Sequence, residues 1–144
     1  MIKNLKILKV FTDGGARGNP GPAALGVFIS DGDGNPVAEI GKRLGDQTNN
    51  FAEYSAIVEG LNWVLSNKEK FPFLSEVLFF MDSNLAVSQL NGLYKIKNSQ
   101  LRNFVISIKI KETELGLPVS YSHVPREQNK KADRMVNLAL DNKI

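Results

Sequence analysis

The tightest constraint on this chain lies between Phe11 and Gly21, where Phe-Thr-Asp-Gly-Gly-Ala-Arg-Gly-Asn-Pro-Gly closes an apolar stretch that reads as a β-strand. Leu5 to Thr12 alternates in strand fashion, with Leu8 and Val10 on one face and Ile7 and Phe11 on the other. The strand ends on a carboxylate, Asp13, and Gly14, Gly15, Gly18, Asn19, Pro20 and Gly21 follow it. Glycine permits positive φ and the close approach of a second backbone. An acid at the carboxyl end of a strand, beside an open loop, is where an α/β sheet places its chemistry. A lone Asp-Gly is otherwise an ordinary hairpin turn, so the weight of Asp13 depends on the rest of the chain.

Ala24 to Ser30 and Val37 to Leu44 read as two more strands, joined by the turn residues Asp31 to Pro36. Asp31, Asp33 and Asn35 fall at alternate positions, as in a calcium loop. Pro36 stands where that loop needs glycine and Lys42 where it needs a bidentate glutamate, which excludes calcium. From Asn50 to Asn67 the period becomes helical, with Ala52, Ala56, Ile57, Gly60, Leu61 and Val64 on one face and Thr48 or Asn49 as N-cap. Val77 to Met81 is a continuous apolar run, as expected of a buried parallel strand. It ends on Asp82, and Ser83 can cap a short helix to Leu90 that Asn91-Gly92 closes. A helix from Ser99 to Glu114, a fifth strand from Val119 to Val124 broken by Pro125, and a last helix from Asn129 to Leu140 complete the order. In that last helix Ala132, Val136 and Ala139 face inward, while Trp63 and the aromatics Phe71, Phe73, Phe79 and Phe80 read as core. Three strands followed by strand–helix alternation predict one domain with a mixed sheet and helices on its faces.

Composition removes several function classes. The chain of 144 residues has no cysteine, which excludes disulfides, thiolate zinc sites and a cysteine nucleophile. No apolar run approaches the roughly 18 residues of a bilayer span, so no membrane partner is expected. Met1 to Val10 alternates lysine with apolar residues and lacks a small-residue cleavage site, so it does not read as a secretion signal, and the cytoplasm is the expected compartment. With 18 basic and 15 acidic residues, the net charge of +3 permits a nucleic-acid partner without requiring one. No oligomer signature is visible, and a monomer is the default.

Four acids stand out. Asp13 and Asp82 end the first and fourth strands, while Glu53 and Asp133 lie in the first or second turn of helices, each four residues beyond an asparagine, Asn49 and Asn129. In the inferred topology all four can face one end of the sheet. Crowded carboxylates raise one another's pKa and call for cations, and hard oxygen donors suit Mg²⁺ or Mn²⁺ rather than zinc. Glu53 and Asp133 could equally complement helix dipoles, and Asp82 could be a cap. From spacing alone both readings stay open.

At these positions the chain resembles type 1 ribonuclease H across nearly its whole length. The likeness rests on Thr12-Asp13-Gly14 with Gly18-Asn19-Pro20-Gly21, on Thr48-Asn49-Asn50 with Ala52-Glu53-Tyr54, on Asp82-Ser83 after Met81, and on His123 to Asn129 leading into Ala132-Asp133. It is strongest with the subgroup that carries Val-Pro-Arg-Glu, here 124–127, and Asn-Gly-Leu-Tyr-Lys-Ile-Lys, here 91–97. The resemblance implies the ribonuclease H-like fold, with a five-stranded mixed sheet of three antiparallel and two parallel strands flanked by helices, in a single domain over residues 1–144. It implies endonucleolytic hydrolysis of the RNA strand of RNA–DNA hybrids by two metal ions, Mg²⁺ with Mn²⁺ as substitute, leaving 5′-phosphate and 3′-hydroxyl ends. One metal would activate water and the other would stabilise the leaving 3′ oxygen. Asp13 would bridge both, Asp133 would complete the first site, and Glu53 and Asp82 would complete the second.

His123, the only histidine, falls where the family has a mobile histidine tied to proton transfer or product release, and Arg126 is the competing candidate. For the substrate, the Gly18-Asn19-Pro20-Gly21 turn would bring backbone groups and the Asn19 amide to the RNA minor groove, with Gly14 and Gly15 also among the substrate-binding residues. Asn49 and Asn50 would reach sugars or bases, Thr48 a DNA phosphate, and Asn84 takes the place of a polar amide; capping and turn formation are the simpler roles of these residues. Some members carry a basic, tryptophan-bearing protrusion after the fourth strand. Here Leu93 to Ser99 runs straight on with only Lys95 and Lys97, which predicts weak, distributive cutting unless Lys130, Lys131 and Arg134 compensate. Double-stranded RNA is a side substrate that the shared A-form shape allows. Two alternatives are a non-catalytic hybrid-binding module and a DNA-directed nuclease or recombinase of the same superfamily fold.

Overall fold

Three strands, Ile7–Ala16 (β1), Gly21–Asp31 (β2) and Pro36–Gln47 (β3), pair antiparallel in succession. Helix Asn49–Asn67 (α1) then leads to Glu76–Met81 (β4), which lies parallel to β1. Helices Asn84–Leu90 (α2) and Ser99–Leu115 (α3) precede Val119–His123 (β5), parallel to β4, and Lys130–Leu140 (α4) follows. The sheet order is β3-β2-β1-β4-β5, the mixed five-stranded arrangement expected from the sequence. This computed structural model describes residues 4–92 and 95–144. Of the 91–97 motif, Leu93 and Tyr94 therefore lie outside the described residues.

The local signals act as expected. Thr48 Oγ1 accepts from the Phe51 amide at 3.1 Å and caps α1, and Ser83 Oγ accepts from the Ala86 amide at 3.2 Å and caps α2. The main core lies between α1 and the sheet, where Tyr54, Ile57, Leu61 and Val64 meet Leu8, Val10, Val27, Val77 and Phe79. Each such side chain contributes roughly 1.5–3 kcal/mol when fully buried, so this layer carries most of the stability. On the opposite face the cluster under α4 is made of Ala24, Val136 and Ala139, small groups that let α4 lie close to the sheet. Among the described residues no helix is long and apolar enough to cross a membrane.

Three expectations need correction. The first strand does not stop before Asp13: its parallel pairing with β4 ends at Phe11↔Phe80, while its antiparallel pairing with β2 runs on through Asp13↔Gly26 to Ala16↔Ala23. Gly14 and Gly15 are therefore extended strand rather than open loop. The fourth strand is not buried on both faces. Val77, Phe79 and Met81 are buried, but Leu78 and Phe80 are half-buried because α4 packs over β1, β2 and β3; Phe80 stacks instead on Phe11, with ring centroids 5.0 Å apart. Finally, Phe71 and Phe79 are core and Trp63 is half-buried against Phe71, but Phe73 is 60% exposed.

Candidate active site

Strand alternation puts Gly14 on the α1 face of β1 and Asp13 on the α4 face. A methyl group on Gly14 would overlap the backbone of Ala52 and Glu53, so the absence of a side chain there lets α1 cross directly against β1 and delivers Glu53 to the end of the sheet. Gly26, the cross-strand partner of Asp13, does the same on the other face. A methyl there would overlap the Ala132 carbonyl oxygen and crowd the Val136 amide, so α4 lies against β2 and delivers Asp133. Asp82 follows directly on β4. Two backbone contacts and two adjacent parallel strands thus gather the four acids.

Asp13, Glu53, Asp82 and Asp133 line one cleft of about 330 Å³, together with Arg17, Asn49, Arg126 and Asn137. A slightly larger cavity, about 370 Å³, lies over Phe11 and Phe28 beneath Lys130 and Lys131, but Glu127 is its single acid. The convergent polar groups are in the acid cleft. There Asp13 is pushed up to about 8, first by burial, then by the charge of Asp82 and by a hydrogen bond and charge from Asp133, against the opposing amide of Gly14. Glu53 is also raised, by burial and by Asp82, while the Ser83 hydroxyl opposes the shift. The cleft therefore concentrates negative charge that it does not itself neutralise, and carboxylates so placed hold protons unless cations arrive.

The donor set fits a hard divalent cation. All the donors are carboxylate oxygens, with no sulfur or imidazole lining the cleft. Among the described residues no three acids converge into a ready-made cage. Mg²⁺ does not need one, because it keeps several waters and is commonly held by one or two carboxylates plus substrate phosphates.

Sequence reasoning placed Asn129 at a helix start and gave it no further part. Its side chain does not cap α4. It is 1% exposed, and its Nδ2 donates to the Thr12 carbonyl at 2.9 Å and reaches Asp82 Oδ2 at 3.5 Å. Asn129 thus ties the acid-bearing ends of β1 and β4 to the first turn of α4. Its Oδ1 is buried with no partner among the described residues. The signal in the sequence was its position one helical turn before Asp133.

The remaining predicted residues divide. Asn19 Oδ1 accepts from the Asn49 amide at 3.0 Å, and Asn49 Oδ1 accepts from the Ala16 amide at 2.8 Å, so both tie the glycine-rich turn to α1. Their amide NH₂ donors take no part in these bonds. Asn49, Gly14 and Gly15 line the acid cleft, whereas Asn19, Thr48, Asn50 and Asn84 are exposed outside it. Arg126 lines the cleft; His123 is exposed at the end of β5, opposite Met81 and outside that lining.

A family profile described as "Reverse transcriptase-like" matches residues 11–139. An RNase H1 isolated from compost has the same fold at a TM-score of 0.90 and 39% identity, over 96% of this chain and 99% of that one. That compost protein has also been solved in complex with an RNA/DNA hybrid, at a TM-score of 0.88 over 94% of this chain and 98% of that one. Ribonuclease HI of Halobacterium salinarum is 39% identical over 132 residues, which cover 91% of this chain and 63% of that protein. The bifunctional protein Rv2228c of Mycobacterium tuberculosis is 35% identical over 90% of this chain, which spans 34% of that protein's length. With the profile matching residues 11–139 and the compost RNase H1 39% identical over 96% of this chain, the chain belongs to the type 1 ribonuclease H family.

Proposed function

We propose that this chain is an endoribonuclease that hydrolyses the RNA strand of RNA–DNA hybrids and leaves 5′-phosphate and 3′-hydroxyl ends. The observation that carries the reading is the cleft in which Asp13, Glu53, Asp82 and Asp133 meet beside Arg126 and Asn49. Asp13 and Asp133 would hold one Mg²⁺ ion, and Asp13 with Glu53 and Asp82 a second, or Mn²⁺ in their place, and the ions would supply an activated water and charge stabilisation at the leaving oxygen.

The chain's own groups do the rest. Arg126, which lines the cleft, offers its guanidinium to the scissile phosphate. His123, outside the cleft at the end of β5, serves proton transfer or product release. The amide donors of Asn19 and Asn49, with the backbone at Gly14 and Gly15, read 2′-hydroxyls in the minor groove, the one chemical mark that separates RNA from DNA. Asn50 and Asn84 extend that contact and Thr48 meets a DNA phosphate. With few basic residues between α2 and α3, affinity is low, cutting is distributive, and salt weakens it further. The domain acts as a monomer in the cytoplasm, with double-stranded RNA as a minor substrate.

Matched labelled duplexes incubated with Mg²⁺, Mn²⁺ or chelator test this directly. Cutting is expected only in the RNA strand of the hybrid, and chelator should abolish it. Hybrid binding without cutting in either metal would make the chain a binding module instead. In the same assay Asn129→Ala is expected to lower kcat roughly ten- to a hundred-fold with little change in KM, as for other groups that orient metal-binding carboxylates. An unchanged kcat would leave Asn129 a purely structural residue.

A further inference from the structure

Arg17 sits inside the glycine run and lines the acid cleft, yet the proposed reaction gives it no role. It is the first residue after β1, and its amide donates to the Pro22 carbonyl at 2.8 Å. Its side chain turns along the acid cleft, where Nη1 donates to Asp141 Oδ1 at 2.7 Å and Nη2 reaches Asn137 Oδ1 at 3.5 Å. Asp133, Asn137 and Asp141 follow one another at four-residue steps along a single face of α4 and its end, and the Asn137 side chain donates back to the Asp133 carbonyl at 3.1 Å. Each step advances about 6 Å along the helix, a spacing comparable to that of successive phosphates on one nucleic-acid strand. Arg126 precedes α4, Arg17 is held near its far end, and the four acids lie in the same cleft.

We propose that Arg17 is a clamp for the RNA-strand phosphate next to the scissile one, held ready by Asp141 and Asn137. The inference rests on the functional reading above and deepens it. The charge pattern supports it: a cleft with a guanidinium toward each end and carboxylates among them matches a strand whose central phosphate is met by cations and whose neighbour is met by arginine. Arginine has five donors in a planar fork, and two are engaged here among the described residues. The others can grip a phosphate while Asp141 keeps its place. The pair with Asp141 is open to solvent, with side chains 49% and 42% exposed, and such a pair adds little stability by itself. Its effect is to fix where a flexible cation points.

The test compares Arg17→Met, Arg17→Lys and Asp141→Asn on a hybrid, with or without a neutral methylphosphonate at the phosphate beside the cut. Arg17→Met should raise KM about tenfold and reduce the salt slope by about one. The methylphosphonate penalty shown by the parent should vanish in this variant. Arg17→Lys should recover the slope but only part of the KM, since lysine cannot form the fork. Asp141→Asn breaks the same ion pair and should leave the slope unchanged. Equal effects of Arg17→Met and Asp141→Asn, with an unaltered slope or a surviving methylphosphonate penalty, would reduce Arg17 to a staple between loop and helix. If the parent cuts no hybrid, the functional reading fails on its own. Salt titration of hybrid binding in chelator then still decides Arg17, and an unchanged slope in Arg17→Met overturns the clamp.

Discussion

Asp13→Asn is expected to lower the hydrolysis rate by roughly a thousand-fold or more and, in the same molecule, to raise the stability of the metal-free protein at pH 8. Both effects come from one crowded carboxyl. Asp13 is half-buried on the overhanging end of β1, faces Asp82 and Asp133, and is pushed up to about 8 from the ordinary 3.8. Between those two values the folded chain binds more protons than the unfolded chain, so this group makes stability fall as pH rises. Below the unfolded value both states are protonated and the effect is absent. The asparagine variant lacks that slope and should gain on the order of 2 kcal/mol at pH 8, which is several degrees in Tm. Added Mg²⁺ should narrow the gap, because a ligand of the native state stabilises it. Thermal melts at pH 5 and pH 8, with chelator or Mg²⁺, read this out. Parallel pH profiles for parent and variant would show that the cluster is not electrostatically frustrated.

Gly14→Ala should be the most damaging apolar substitution near the cleft. Its methyl group would meet the backbone of Ala52 and Glu53, which no rotamer change can relieve, so α1 must move off β1. Overpacking of this kind costs about 1–3 kcal/mol or more. The loss of activity should exceed the loss of stability, since displacing a catalytic group by about 1 Å is worth roughly a hundred-fold in rate. Gly26→Ala should act alike by pushing α4, and with it Asp133, away from β2. Gly15→Ala is the control: its methyl would find only Val136 Cγ1 at 3.8 Å, an ordinary contact, and its urea midpoint should match the parent's. A Gly14→Ala protein with parental midpoint and kcat would refute the close-crossing account of how Glu53 is placed.

The elements were legible because each carries a local signal. The change from two-residue to helical period at Asn50, the Thr48 and Ser83 caps, and Pro125 after β5 place nearly every boundary. The acid positions were legible for the same reason, since they follow from where strands end and helices begin. What escaped depends on the other half of a contact. Gly14 and Gly15 look alike in sequence, and only the helix lying over one of them distinguishes them. Asn129 looks like a cap until its burial against Thr12 and Asp82 is known. Phe73 is as apolar as Phe71 but has no neighbouring element to cover it. That Arg126 lines the cleft and His123 does not follows from the path of a short helical turn, Arg126–Gln128, that no periodicity announces.

The overhang of β1 has a consequence for how the molecule meets its own kind. From Thr12 to Ala16 the strand is paired on one side only, which leaves in mid-sheet the kind of bare edge that recruits a strand from another chain. Three of its polar groups are answered by side chains instead: Asn129 donates to the Thr12 carbonyl, the Asp13 carboxylate accepts from the Gly14 amide, and Asn49 Oδ1 accepts from the Ala16 amide. The residues that assemble the cleft are thus also its guard against β-augmentation, and the acids beside them add charge that an incoming backbone would have to desolvate.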